Sequence, residues 1–513
     1  MQGDALSPIS PPIRAFAAIT LLTLTAFSVL WLASFGAAGP WPWDLWAAVS
    51  DVSILAGLTD ATVGVLGISV TVVAIVVELA ANRYTPRVSE LFVRDPLNVA
   101  VLSWFVGSSV ITAWIGLSLN GEVVPPQLIY ATVALTTTSL LMLLPYFAYV
   151  FHFLTPVEVI RRIRDAGRRE LDRLGRRGPR AIAGARDELV HATEQLGDIA
   201  LNSVEKKDKP LAFDALTALA ELGEAAIRAK PVLPPAWFDA APLVASDQDF
   251  IALHPDLVHA LTARRTWVEM KVLRQYQSVF GEAVNKLRDV NHLAAILTRR
   301  MAAAAMEIGD LESVAISVRF LNTFMRAAVN ARDVRTAYNL LNEYRELAEL
   351  GLRSGHGDLA IELASRMRFY GQLSFGQQLP FVLESAAYDL GQLLEYAHRQ
   401  RAAEHDALLG IFLELDREPE ARGMEASLRG VRKAQVKLAT WYLSRGDEAL
   451  AMRIANDMRA EPPSRLASIR AELEAVVEAE FWEVSDRGTN FEWLGPERRA
   501  QLDRYFGWLA TPL

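Results

Sequence analysis

Four stretches of this chain are apolar for long enough to cross a hydrocarbon core, which takes about 20 helical residues. They run over about 15–35, 60–81, 97–119 and 128–153. This feature divides the chain. Residues 1–160 hold 4 Arg and 9 Asp/Glu. Residues 161–180 hold nine Arg against three acids, and residues 181–513 carry a net charge of −9. The bulk figures, a mean hydropathy of +0.17 and a net charge of −8, describe none of these parts. The 513 residues contain no cysteine, which excludes a disulfide scaffold, a zinc finger and a thiol enzyme. The acidic balance argues against a nucleic-acid partner.

Arginine placement sets the expected topology. The loops at about 36–59 and 120–127 have no Lys or Arg, whereas Arg83, Arg87 and Arg94 lie between spans two and three, and Arg161 to Arg180 follow span four. Both basic segments, and with them both termini, are expected on the cytoplasmic side. Trp41, Trp43 and Trp46 then mark the outer interface, and Tyr146, Tyr149 and His152 the inner one. Asp95-Pro96 reads as an N-cap followed by proline at the first helical position, and Pro145 as a kink in span four. The first span has a rival reading as a cleaved signal ending near Ala33–Gly39, but its basic leader is thin (only Arg14) and its apolar run long, so a retained span is expected.

Span two carries the most specific pattern. Asp60, Gly64, Gly67, Thr71, Ala74 and Glu78, with Asn82 one turn beyond, recur by four and three and so share one helix face. All are small or polar. In lipid, small residues let helix backbones approach and polar ones must turn toward protein or water. The face is therefore either a helix–helix seam, within or between subunits, or the lining of an aqueous path in a homo-oligomer, with Asp60 and Glu78 at its mouths.

The stretch Glu78-Leu-Ala-Ala-Asn-Arg-Tyr-Thr-Pro-Arg87, then Leu91-Phe92-Val93-Arg94-Asp95 and the third span, resembles a family of predicted bacterial integral membrane proteins catalogued as a domain of unknown function. The resemblance covers about residues 60–165. It implies a bacterial inner-membrane location and no activity. Independently of it, Pro86 disfavours helix at Thr85 and helps end the span, leaving Arg83, Arg87 and Arg94 at headgroup level.

Thr155-Pro156-Val157-Glu158 has capping-box spacing and should open a helix bearing Arg161, Arg162, Arg164, Arg168 and Arg169. Such a juxtamembrane cluster is a topology signal that can also hold anionic lipid, at roughly 1 kcal/mol per basic residue near the surface. Beyond it, apolar positions recur at helical spacing, as in Leu340-Leu341, Tyr344, Leu347 and Leu350. Pro231–Pro255 is the longest interruption. Gly309-Asp310, Arg332-Asp333, Gly357-Asp358 and Gly446-Asp447 each read as a helix start, but their uneven spacing establishes no 34-residue tetratricopeptide period.

No Walker A sequence, HExxH or G-x-S-x-G occurs, and Gly355-His356-Gly357-Asp358 lies in a hydrophilic turn far from any span. No catalytic constellation, metal site or cofactor is expected. The expected fold is all-α: a transmembrane region over 1–155, an arginine-rich helix over 156–180, a membrane-proximal helical subdomain over 181–230 and an irregular array of helical hairpins over 256–513. Two functions fit. One is a homo-oligomeric channel-like or transport protein; the other is a membrane-anchored scaffold or sensor whose array binds a cytoplasmic protein partner.

Overall fold

The computed structural model describes residues 52–83, 88–118, 126–174, 182–416, 425–481, 486–488 and 490–510. All regular elements among them are helical, and they form two compact units, divided between Arg162 and Ile163. Span one and the three outer tryptophans lie outside the described residues.

The first unit contains α1 (Val52–Arg83), the short α2 (Val88–Val93), α3 (Pro96–Ser118) and α4 (Pro126–Phe153). Three segments in it are long and apolar enough to cross a membrane: Ala56–Ala81, Pro96–Leu117 and Ala131–Phe153. They match expected spans two to four, and α4 runs through Pro145 without a break. Hydroxyl groups join the three helices. Thr62 and Thr136 share a hydrogen bond of 2.8 Å, and Ser108 and Ser139 one of 3.1 Å. Ser109 donates to the Thr62 carbonyl and Thr59 to that of Thr112. In hydrocarbon such groups have no water to turn to, so pairing across helices fixes which faces meet.

Helix α5 (Pro156–Leu174) starts where the Thr155-Pro156 signal places it. The capping box itself is not made. Thr155 donates its hydroxyl to the His152 carbonyl, and the Glu158 carboxylate accepts from Arg161 and Arg162 instead of reaching back to the cap.

The second unit continues through α6 (Ile182–Glu205), α7 (Lys209–Ala229), the short α8 (Leu243–Ser246), α9 (Pro255–Arg264), α10 (Trp267–Ala283), α11 (Arg288–Glu307), α12 (Leu311–Asn330), α13 (Val334–Arg353), α14 (Gly357–Gly376), α15 (Pro380–Gln400), α16 (His405–Leu413), α17 (Glu425–Ser444), α18 (Glu448–Met458), α19 (Pro463–Ala475), α20 (Pro496–Arg499) and α21 (Leu502–Ala510). Two layers run side by side: α6, α10, α12, α14 and α16 in one, and α7, α11, α13, α15 and α17 in the other. Helices α6 and α7 thus form the first hairpin of the array. The Pro231–Pro255 stretch is an excursion anchored within the unit by buried Trp237 and Phe250, with the Trp267 indole N–H donating to the Trp237 carbonyl.

The array has a period that the sequence reading missed. Gly309, Arg332, Gly355, Gln378 and Arg401, each 23 residues after the last, all adopt positive φ. The residue that follows each donates its N–H to the carbonyl five positions back: Asp310 to Ala305, Asp333 to Ala328, His356 to Gly351, Leu379 to Ser374 and Ala402 to Ala397. This is the Schellman closure. At the first four of these turns the closing residue also serves as N-cap of the next helix. The register at the third turn is therefore set by His356; Asp358 lies inside the first turn of α14 and caps nothing. Where the closing residue is aspartate its side chain caps directly, as Asp310 accepts from the Ser313 N–H and Asp333 from that of Thr336.

Asp333 is fully buried, and it also accepts from the Thr336 hydroxyl and pairs with Arg288. Asp333→Ala is expected to lower stability by about 1–2 kcal/mol. Gln378→Gly, at an exposed left-handed position, is expected to raise it by about 0.5–1 kcal/mol. Thermal unfolding of the purified protein reads both; a loss of stability in Gln378→Gly would contradict the turn geometry.

Candidate functional site

The stripe on α1 is the strongest site feature of the sequence, and the structure sets it against the rest of its helix. Thr62, Val65, Ser69, Val73 and Ala80 are buried against α3 and α4. Asp60, Gly64, Gly67, Thr71, Ala74 and Glu78 are all exposed. At about 100° per residue the stripe centres about 180° from the buried face. Among the described residues, no atom lies within 4 Å of a Cβ built on Gly64 or Gly67. Within this chain the stripe does not pack on α3 or α4. Asn82 and Arg83 end the same helix, and Arg87 lies outside the described residues.

At one end of the spans a polar clasp closes the first unit. Asp95 caps α3 by accepting from the Asn98 N–H at 3.1 Å. It also accepts from the Tyr149 hydroxyl at 2.6 Å and from Arg162 at 3.1 Å. The Asn98 side chain donates to the Phe92 carbonyl and accepts from the Tyr146 hydroxyl. Tyr146 and Tyr149 therefore turn their hydroxyls inward, onto Asn98 and Asp95. Burial alone would raise the Asp95 carboxyl, but the Tyr149 and Asn98 hydrogen bonds and the Arg162 guanidinium together hold it below its usual range. Glu158 is lowered likewise: Arg161 and Arg162 outweigh its burial.

The arginine cluster divides by partner. Arg161 and Arg162 are bound to Glu158, and Arg162 also to Asp95. Arg164 pairs with Asp165 at 2.8 Å and Glu221 at 2.7 Å. Arg168 and Arg169 are exposed, as is Arg94. Arg164 and Arg168 line one wall of a cleft of about 960 Å³ whose other wall carries Glu221, Glu224 and Arg228. Glu221, Glu224 and Asp172 in the cleft offset the charge of its arginines.

The body also buries charges. The Lys271 ammonium, 1% exposed, meets Asp247, Asp249 and Glu194 at 2.7–3.0 Å. The Glu384 carboxyl is raised to about 7, first by burial and then by Glu492, with Lys433 opposing. Sequence reading singled out none of these groups. Their partners lie 22 residues or more away in the chain, and no local pattern reports such a meeting. Among the described residues no group of three or more His, Cys, Asp or Glu is arranged to hold a metal ion.

Residues 12–226 match the model of a family described as "Predicted membrane protein (DUF2254)", a match that takes in the whole stretch on which the sequence resemblance rests. No curated protein matches. Among solved structures, one titled "Circular tandem repeat protein with novel repeat topology and enhanced subunit contact surfaces" is similar at 13% identity and a TM-score of 0.33, covering 91% of this chain and 96% of that one.

Asp95→Ala removes the common acceptor of Tyr149 and Arg162 and is expected to cost about 2–3 kcal/mol, against about 1 kcal/mol for Tyr149→Phe. Thermal unfolding in detergent measures both, and equal effects would contradict the clasp. Glu384 supplies a pH test. Its folded-state carboxyl titrates higher than that of the unfolded chain, so its contribution is fully present below the unfolded value of about 4.5 and lost as pH rises through about 7. Glu384→Gln is expected to gain stability over the parent progressively from pH 5 to 7.5, reaching roughly 2–3 kcal/mol. A difference between the two proteins that does not vary with pH would refute the assignment.

Proposed function

Starting from a chain whose residues 12–226 match a family of predicted membrane proteins, we propose that it is a homo-oligomeric, channel-like or transport protein of a bacterial inner membrane, with α1 facing the conducted path. The observation that carries this reading is the opposition of faces on α1. Its hydroxyl-bearing face is spent on α3 and α4, and the face bearing Asp60, Thr71 and Glu78 is left exposed. Carboxylates on a membrane span are too costly to leave against lipid. Copies of α1 around a common axis would set the glycines at close approach between neighbours, and Asp60 and Glu78 would form carboxylate rings at the two mouths. Such rings favour cations.

In this reading both termini are cytoplasmic, by the arginine distribution. Arg94, Arg168 and Arg169 contact anionic headgroups. The helical body assembles or regulates the membrane part, and no reaction or cofactor is involved. The alternative, a membrane-anchored scaffold or sensor, is favoured by the continuous two-layer array of α6 to α17, since stacked helical hairpins commonly present a binding surface.

Native mass spectrometry in nanodiscs is expected to find a symmetric oligomer. Proteoliposomes are expected to pass cations, with flux falling several-fold in Glu78→Gln and Asp60→Asn and unchanged in Leu79→Ala on the lipid-facing side. A monomer, or flux indifferent to both carboxylates, would remove the channel reading.

A further inference from the structure

The segment from Asp486 to Arg498 lies across one layer of the array, and its contacts have the form of a bound peptide. It crosses α13, α15 and α17, three helices that already pack on one another in sequence. At one end the Asp486 carboxylate accepts from Arg335 at 2.6 and 2.7 Å and from the Asn339 side chain at 2.8 Å. Arg487 then places its guanidinium on both oxygens of Asp389, at 2.7 and 2.9 Å, and 3.9 Å over the Tyr338 ring. Four residues on, the Phe491 ring stacks on Tyr388 at 4.8 Å and meets Tyr338 at 5.7 Å. The Phe491 carbonyl accepts from Lys437, and the Glu492 carboxylate pairs with Lys433, both at 2.7 Å. Arg498 closes the far end on Glu395 at 2.8 Å.

The receiving face is therefore a recognition surface in chemical detail. It offers a fully buried carboxylate (Asp389) for a guanidinium, a slot between two tyrosines for an aromatic ring, and two lysines for a main-chain carbonyl and an acid. Charge-assisted guanidinium–carboxylate pairing, here from Nη1 to both oxygens of Asp389, and an aromatic anchor are contacts that commonly dominate peptide and protein recognition. One feature separates the segment from ordinary core. The layering of α11, α13, α15 and α17 is complete without it.

We propose that the described residues 486–488 and 490–498 are an intramolecular ligand occupying a peptide-binding face built by α13, α15 and α17. The partner of that face is a short, turn-containing peptide segment of the same chemistry: an arginine, an aromatic residue four positions later and an acid next to it. Partner and strap compete for Asp389 and the tyrosine slot, so the free chain holds its face closed. This inference does not depend on whether α1 lines a path.

The test uses the full-length protein in detergent and a fluorescent peptide of residues 486–498. With Arg487→Ala and Phe491→Ala combined in the protein, the peptide is expected to bind at least 10-fold more tightly than to the parent, and a peptide carrying Arg487→Ala is expected to lose that binding. Failure of the peptide to bind the doubly substituted protein, with its helicity and melting preserved, would overturn the proposal. A measurement on the parent keeps the test open should that variant misfold. Hydrogen exchange at 486–495 is expected to run at least 100-fold faster than in α13 and α15, because a displaceable strap opens by itself. Exchange of the strap in step with those helices would show it to be part of the fold and would equally overturn the proposal.

Discussion

A polar side chain in hydrocarbon has no water to fall back on, and this constraint organises the first unit. Thr62, Thr136, Ser108 and Ser139 pair across helices, and Ser69 donates to the carbonyl of Val65 four residues back. Each pair fixes the rotation of its helix about its own axis. Once α1 is turned so that Thr62 and Ser69 face α3 and α4, Asp60, Gly64, Gly67, Thr71, Ala74 and Glu78 must point the other way. The exposed stripe is thus a consequence of the hydroxyl seam. The clasp at Asp95 works by the same rule: a half-buried carboxylate is tolerable there because Asn98, Tyr149 and Arg162 all donate to it.

The second unit obeys a different constraint, the geometry of one turn. A helix of about 20 residues, closed by a left-handed residue whose successor opens the next helix, reverses the chain at every step. Alternate helices then share a layer, and equivalent positions of alternate helices form rows across it. One row carries His292, Tyr338 and Glu384; another carries Glu343 and Asp389. Arg487 meets one member of each row, Asp389 by its guanidinium and Tyr338 by its face, and Phe491 meets Tyr338 as well.

What was legible in the sequence follows from how local each signal is. Spans two to four could be read because hydropathy over about 20 residues decides them, and the arginine-rich helix because proline at its first position is a local choice. The stripe was legible as a period, but its facing was not, since that depends on Thr62 finding Thr136 in another helix. The array period was hidden for a narrower reason. Aspartate marks the turns at 310 and 333, but at 356 and 379 the same turn is closed by histidine and leucine, and Asp358 offered a false register. The backbone, through its left-handed residue, keeps the period; the side chains do not all announce it. The inward hydrogen bonds of Tyr146 and Tyr149 were not legible either, since their partners Asn98 and Asp95 lie 48 and 54 residues upstream. The strap left no local signal beyond a Gly- and Pro-containing aromatic stretch, since its partners lie roughly 50–150 residues upstream.

The strap's contacts also differ in what each contributes to holding it. Releasing it would return Arg487, Asp486 and Glu492 to water together with the groups they face, so Coulomb attraction lost and hydration regained largely cancel. The net hold then comes from apolar surface, chiefly Phe491 against its two tyrosines and the buried Leu494, at about 1.5–3 kcal/mol for each side chain. That is less than the 5–15 kcal/mol typical of a folded domain as a whole, so local release lies below global unfolding in free energy. The ionic groups meanwhile set which sequence fits, because a ligand that brings an aromatic ring without the guanidinium leaves Asp389 covered and without its strongest partner. Affinity and specificity thereby reside in different side chains of one short segment, a division that lets a competitor displace the strap only by matching both.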